Sequence, residues 1–487
     1  MRIGAIDQGT TSTRVLVIEP SGERRIAQAT EHRQIYPKTG WVEHDPEELI
    51  RNIQACLDTA GPLDALGIDN QGETCLAWDA QTKEALSPVI VWQDERTADR
   101  INALKADGAE EVTLDRAGLP LDAYFSASKL AWILSHLPEA RAAQARGTLR
   151  LGTTDAFFMD RLAGRFVTDV STASRTSLMN LATCEWDPEL CRLFGVPVDS
   201  LPEIVSNTGE FGAIDSEAGA TPVTALIVDQ QAALYGAGCR HPGEAKMTFG
   251  TGAFALVVTG ATIYREHERG LLPTVAWRKQ SEDTVYALDG GVFTAGAAVN
   301  WARALGLFES FEEIGAFSTT PAIDRGLAFV PALSGLGCPH WDRRARGVWL
   351  GLGLDDGPLD LMQAVLEGIA LRGAEVIKAM DATTPLWGTV PLDGGVTKNR
   401  YFLQFFADSI GRGVERRDEP EVTALGTASL AGEALGAPPP QEAPRQDIAP
   451  RQGGESRCAA FSRAISLAQQ WRSQDQAFKA LCVQSDA

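Results

Sequence analysis

Asp7, Thr10, Thr11, Ser12 and Arg14 crowd one short turn between two apolar runs, in IGAIDQGTTSTRVLVI from Ile3 to Ile18. A hairpin needs a turn, but not this density of carboxylate, hydroxyl and guanidinium. Glycine lets a backbone approach an oxyanion closely, successive N–H groups form a concave anion site, and Thr or Ser hydroxyls add donors. Two further glycine-rich turns follow apolar runs, Gly250-Thr251-Gly252 and Asp393-Gly394-Gly395. A single turn of this kind reads equally well as a tight hairpin. Three of them at strand ends read as a divided phosphate site, with Gly-Thr turns from two halves of the chain facing one polyphosphate. The G-x-x-x-x-G-K-[ST] loop is missing, and no G-x-G-x-x-G follows a strand, so neither a P-loop NTPase nor a dinucleotide dehydrogenase is supported.

Other side chains carry chemistry of their own. Asp229 ends the apolar run Ala225 to Val228 and begins the polar Asp229-Gln230-Gln231. A carboxylate at the mouth of a sheet can take a proton from a substrate hydroxyl, and it can equally cap the next helix. Asp7 has a similar choice, between a metal ligand acting through water and a turn-forming residue. Glu73, in Gln71-Gly72-Glu73, and Trp92, in Val91 to Arg96, follow apolar stretches. Glu73 can accept hydrogen bonds from ligand hydroxyls while Trp92 walls the ligand; the plainer reading is a surface loop with a half-buried indole.

The elements that must position these residues alternate. Strand, turn and strand open the chain, with a third strand from Arg24 to Thr30 after Pro20-Ser21-Gly22. Asp45-Pro46 then caps a helix over EELIRNIQACLDTA, and LDALGIDNQ supplies the next strand. A related order returns in the second half. TPVTALIVDQQAALYGAG reads as strand then helix, EAKMTFGTGAFALVVTG as strand, turn, strand, and GTVPLDGGVTKNRYFLQFFADSIG as strand, turn, helix. The expectation is two α/β domains related by duplication, at 1–240 and 241–487, with a Pro-rich loop near 437–456 and a C-terminal helix from about Arg457 to Leu481.

Composition sets the bounds. The 487 residues, 44% hydrophobic and 22% charged, can build more than one full core. A formal charge of −20 argues against nucleic acid or an anionic membrane as partner, and leaves room for a small anionic ligand at a local Lys or Arg. Eight scattered cysteines without C-x-x-C read as free thiols in a reducing compartment. The N-terminus runs straight into strand pattern and no apolar run suggests a membrane span, so a cytoplasmic location is expected.

Ten stretches, spread nearly end to end, resemble the FGGY carbohydrate kinases, nearest to their glycerol kinase branch. They are IDQGTTSTR, IYPKTGWVEHDPEE, VWQDERT, LDAYFSASK, TDVSTASRT, VDQQAALYG, FGTGAFALV, PALSGLGCPHWDRRARG, DGGVTKN and EVTALGTASLAG. The resemblance implies duplicated actin- and Hsp70-like (ribonuclease H-like) ATPase domains with a central cleft. It implies ATP with Mg²⁺ as phosphoryl donor, a small polyol or sugar as acceptor, and a homo-oligomer, dimer or tetramer. By the same resemblance Thr10, Thr11, Ser12 and Arg14 contact the nucleotide phosphates, Asp7 lies near Mg²⁺ and Thr251 faces the γ-phosphate. Gly296, Asn300, Gly395 and Asn399 line the nucleoside site; Asn300 departs mildly from the glutamine usual there. Glu73, Tyr124, Asp229 and Gln230 bind acceptor hydroxyls, Trp92 and Phe254 form apolar walls, and Asp229 is the base.

One departure bears on the substrate. Glycerol kinases read N-Q-R-E-T where this chain reads Asn70-Gln71-Gly72-Glu73-Thr74. Gly72 removes a fork of donors and a large side chain, at a cost of about 1–3 kcal/mol for each unmet donor. Three outcomes stay open: a larger polyol or ketose as substrate, weaker binding of glycerol, or replacement by a neighbour such as Arg96. The expected reaction is in-line transfer to a primary hydroxyl, with Asp229 accepting the proton late at an ordinary carboxylate pKa of about 4. A non-catalytic sugar or nucleotide sensor on the same fold is the alternative. A chaperone- or filament-type ATPase fits poorly with Trp92, Glu73 and Tyr124.

Overall fold

The computed structural model describes residues 1–265, 267–317, 320–417, 419, 421–441 and 443–485, with side chains as far as residue 471. In the N-terminal half, β1 (Ile3–Gln8), β2 (Ser12–Ile18) and β3 (Arg24–Glu31) form an antiparallel meander. Helix α1 (Pro46–Ala60) crosses to β4 (Ala65–Asn70), which lies parallel to β1, and β5 (Gly219–Val228) lies parallel to β4. Asp45 caps α1 by accepting from the Glu47 amide at 2.9 Å, and Pro46 takes a first-turn position where no N–H is needed. Leu49, Ile53, Cys56 and Leu57 recur at helical spacing and are buried against the sheet, each worth about 1.5–3 kcal/mol.

Helix α2 (Asp229–Gly236) follows β5 directly and leads into the second half. There β6 (Ala245–Phe249), β7 (Ala253–Gly260) and β8 (Val285–Val292) repeat the meander. Helices α3 (Gly296–Ala304) and α4 (Pro358–Thr383) precede β9 (Val390–Asp393), which is parallel to β6. Helix α5 (Arg400–Ile410) leads to β10 (Val414–Arg417), parallel to β9, and α6 (Val422–Glu433) follows. The core strand orders are β3-β2-β1-β4-β5, extended beyond β5 by Ala213–Ser216, and β8-β7-β6-β9-β10, extended beyond β8 by Leu272–Trp277, so the two halves share one core order.

The halves interlock through helices rather than sheets. Helix α6 packs on β1, β4 and β5 of the first half and crosses α2 at a glycine–glycine contact. A Cβ at Gly426 would lie 1.9 Å from the Ala232 carbonyl oxygen, and one at Gly236 would lie 2.0 Å from that of Val422. Backbones this close leave no space for a side chain, so the crossing holds the ends of both sheets around a common cleft.

The expected Pro-rich loop contains one short strand. Arg445–Ile448 is a strand that pairs antiparallel with β10 and adds an edge to the second sheet. It is polar because an edge strand needs only its backbone for the ladder; Arg445 also pairs with Glu415 of β10 at 3.3 Å. The last helix spans Gly454–Ser485. Among the described residues no helix is long and apolar enough to cross a membrane.

Candidate active site

The three glycine-rich turns lie at the mouths of β1, β6 and β9, where parallel and antiparallel strands end together. Between them lie two cavities. One, of about 410 Å³, gathers Glu73, Trp92, Tyr124, Asp229, Gln230 and Phe254 with Thr10, Thr11 and Thr251. The other, of about 510 Å³, is lined by Thr251, Gly296, Asn300, Gly395 and Asn399, with Val299, Phe311 and Ile314 as apolar surface. Gly250 and Thr251 line both, so the second Gly-Thr turn is the partition between them.

Local backbone chemistry aims the acceptor groups. Glu73 has φ 58°, in the left-handed region that a non-glycine residue enters at a cost of about 1–3 kcal/mol. Its carbonyl accepts from Ser126 Oγ at 3.0 Å, and its carboxylate accepts from Arg175 Nε at 2.6 Å. The Trp92 ring stands edge-on to Tyr124 and Phe254, with centroids 5.6 and 6.2 Å away. Trp92 Nε1 also donates to Thr10 Oγ1 at 3.2 Å, tying the aromatic wall to the phosphate-type turn. Asp229 stands at the first position of α2, and its Oδ1 accepts from the Gln230 amide at 2.7 Å.

Burial changes the electrostatics expected from sequence. Desolvation, reinforced by the negative charges of Glu73 and Asp7, raises Asp229 to about 7. The ordinary value near 4 therefore does not hold in the folded protein. Burial also raises Glu73, with Arg175 opposing, and raises Asp7, with Arg14 opposing. Burial lowers Lys246, a fully enclosed cation whose charge Asp393 and Asp229 support. Lys246 Nζ donates to Thr248 Oγ1 at 2.6 Å and to Gln230 Oε1 at 3.2 Å.

Several expected contacts are already committed within the protein. Arg14 and Ser12 line neither cavity: Arg14 pairs with Glu421 at 2.8 Å, lies 3.7 Å from Asp7 and donates to Ser12 Oγ at 2.8 Å. Asn399 lines the second cavity, but its Oδ1 caps α5 through the Phe402 amide and its Nδ2 donates to the Ile314 carbonyl. Arg96 does not replace the side chain missing at Gly72. It bonds Asp94 and Glu43, both at 2.7 Å, and packs on the Trp41 and Trp132 rings. Arg175, Asp289 and Lys246 escape a reading by spacing, because their partners come from distant segments. A lysine inside the strand ending in FGTG is the one signal that could have marked Lys246, since strand interiors seldom bury charge.

The oxygen donors around β1 suit a magnesium ion, which favours one or two carboxylates completed by water and phosphate. The β1–β4 register sets Asp7 beside Asp69, and one Asp69 carboxylate oxygen is buried without a hydrogen-bond partner. Among the described residues no cluster of three or more His, Cys, Asp or Glu side chains forms a closed metal cage.

Two like-folded lobes, with an aromatic-walled carboxylate cavity that shares a Gly-Thr turn with a second cavity, fit a phosphotransferase of the two-lobed ATPase class. The chain belongs to the FGGY family of carbohydrate kinases, whose N-terminal domain matches residues 2–236 and whose C-terminal domain matches residues 245–435. It is 42% identical to the glycerol kinase of Aromatoleum aromaticum and 44% identical to that of Trichlorobacter lovleyi, in each case over 89% of this chain and 90% of the relative. Its fold is similar to the crystal structure of Plasmodium falciparum glycerol kinase with ADP, at a TM-score of 0.87 and 30% identity, covering 96% of this chain and 98% of the other. A ligand-bound xylulose kinase from Lactobacillus acidophilus shares the fold at a TM-score of 0.84 and 22% identity, covering 97% of this chain and 98% of that one.

Proposed function

We propose that this kinase transfers the γ-phosphoryl group of ATP to a primary hydroxyl of a small polyol, with glycerol as the lead substrate. The observation that carries this reading is the meeting of the Asp229–Glu73 cavity with the second cavity at Thr251. Similarity to named glycerol kinases over most of the chain supports the substrate class. Domain boundaries near residue 240, a homo-oligomeric state (dimer or tetramer) and a cytoplasmic location belong to the same reading. The seven described cysteines, all unpaired, suit a reducing compartment.

The residues divide the work. Gly296, Asn300 and Gly395 hold the nucleoside, with Asn399 shaping that pocket through its helix cap rather than through free polar atoms. Thr10, Thr11 and Thr251 present hydroxyls and turn amides to the phosphates from opposite lobes. Ser12 and Arg14 brace the first turn. Asp7 would hold a magnesium ion through water, and the ion would supply charge neutralisation on the phosphates. Glu73, Tyr124 and Gln230 orient the acceptor, and Trp92 with Phe254 excludes water from it. Asp229 accepts the hydroxyl proton as the new P–O bond forms, and ADP leaves with the electron pair of the broken bond. In a loose transition state the hydroxyl becomes acidic late, and a base ionising near pH 7 is better matched than one near pH 4.

The test is ADP release from ATP–Mg²⁺ with and without glycerol. Release that requires the polyol, with one phosphate found on it, is expected. Nucleotide binding without polyol-dependent release would favour the sensor reading.

A further inference from the structure

We propose that Arg175 sets the length of polyol the acceptor site takes, and that this site extends to neutral polyols of four or five carbons. The inference rests on the polyol kinase reading above and concerns one corner of its cavity.

The corner is made by Gly72, Arg175 and Asp289, all of which line the acceptor cavity. Gly72 is buried and brings no side chain to the corner: a Cβ there would press on Val228 Cγ2 at 3.0 Å and reach Arg175 Cγ at 4.0 Å. Arg175 is 4% exposed and held from both sides, donating Nε to Glu73 Oε1 at 2.6 Å and Nη2 to Asp289 Oδ2 at 2.9 Å. Asp289 comes from β8 of the opposite lobe, so this guanidinium bridges the two lobes at the acceptor. Its third nitrogen, Nη1, has no hydrogen-bond partner, and neither does Asp289 Oδ1, although Asp289 is 6% exposed. A buried donor and a buried acceptor are therefore left unmet on two residues that line the cavity. Leaving such groups unpaired is costly, and a hydroxyl, which donates and accepts at once, satisfies both.

Charge selects among possible occupants. Two cations, Arg175 and Lys246, face four carboxylates, Glu73, Asp289, Asp229 and Asp7, so a carboxylate or phosphate on the acceptor is repelled while an uncharged hydroxymethyl group is not. A three-carbon polyol held between Asp229 and Glu73 leaves these two atoms unmet, and the hydroxyl on a fourth carbon meets them. Arg96, the other arginine near this region, is locked between Asp94 and Glu43 and takes no part.

The experiment measures kcat/KM by ADP release on glycerol, erythritol, D-threitol, ribitol, xylitol and the four-carbon acid erythronate. The wild type, Arg175→Lys and Gly72→Arg are compared, with an ATP-induced thermal shift reporting that each variant is folded. At least one longer neutral polyol is expected to come within tenfold of glycerol or above it, with erythronate far below. Arg175→Lys, which keeps the charge and loses the fork, is expected to lower the ratio of that polyol to glycerol by roughly tenfold. Gly72→Arg fills the corner and moves the ratio the same way, so the proposal stays falsifiable if Arg175→Lys does not fold. Glycerol leading every longer polyol by more than tenfold in the wild type, or ratios unmoved in the folded variants, overturns the role of Arg175. A folded, ATP-binding wild type inactive on every polyol overturns the polyol kinase reading instead.

Discussion

Replacing Asp229 by asparagine should destroy turnover and stabilise the fold, and the stability gain should depend on pH in a defined direction. The carboxyl ionises at about 7 in the folded protein because burial, Glu73 and Asp7 all disfavour its charge, against 3.8 for an ordinary aspartate. A folded pKa raised above the unfolded one stabilises the protonated form. That stability is fully present below about pH 4 and is lost as the pH rises through 7. The ceiling on the loss above pH 7 is about 4 kcal/mol. Asparagine never ionises and can still accept the Gln230 amide bond. Urea unfolding of ligand-free Asp229→Asn should therefore show a gain of up to about 4 kcal/mol over wild type at pH 8, shrinking to less than half at pH 5. Turnover should fall by roughly 10²–10⁴ while ATP binding is kept. A gain that is absent at pH 8, or equal at both pH values, would refute the burial argument; near-normal turnover would refute the base assignment.

Four further outcomes follow from the same geometry. In the wild type kcat/KM for the polyol should fall about tenfold for each pH unit below 7 and level off above it, and a midpoint near pH 4 would contradict the raised Asp229. Lys246→Met removes the buried cation nearest Asp229 and Asp393, so the acid limb of that profile should move to higher pH with a lower kcat; an unmoved limb would show that Lys246 does not act on the site. Gly426→Ala forces α6 away from the Ala232 carbonyl and should cost about 1–3 kcal/mol in urea unfolding, whereas unchanged stability would mean that the helix crossing can relax. Arg343→Ala breaks cross-cleft pairs with Asp122 at 3.0 Å and Glu95 at 3.8 Å; KM for the polyol should rise about two- to fivefold with little change in kcat, and a loss confined to kcat would count against a role in closing the cleft.

Local pattern made much of this architecture legible. The Asp7 to Arg14 turn, the capped helix after Asp45 and the strand-to-helix junction at Asp229 each announce themselves within a few residues, because turn and cap chemistry acts over that range. Composition gave no sign of Arg445–Ile448 inside the Pro-rich loop at 437–456, where a polar edge strand pairs through its backbone and carries no apolar alternation. The role imagined for Arg96 failed for a related reason: its neighbours Asp94 and Glu43, and the two indoles that enclose it, are set by tertiary packing.

The sequence by itself determined which turns can cradle phosphate, which carboxylates stand at strand ends, and that Gly72 leaves a side chain out. Only the tertiary structure decided what surrounds them. Arg175 meets Glu73 across 102 residues and Asp289 across 114, and Asp229 ionises near neutrality because distant segments bury it beside other carboxylates. Turn geometry is a property of a few neighbouring dihedral angles. Desolvation and charge pairing belong to the whole enclosure, which exists only once both lobes have folded around the cleft.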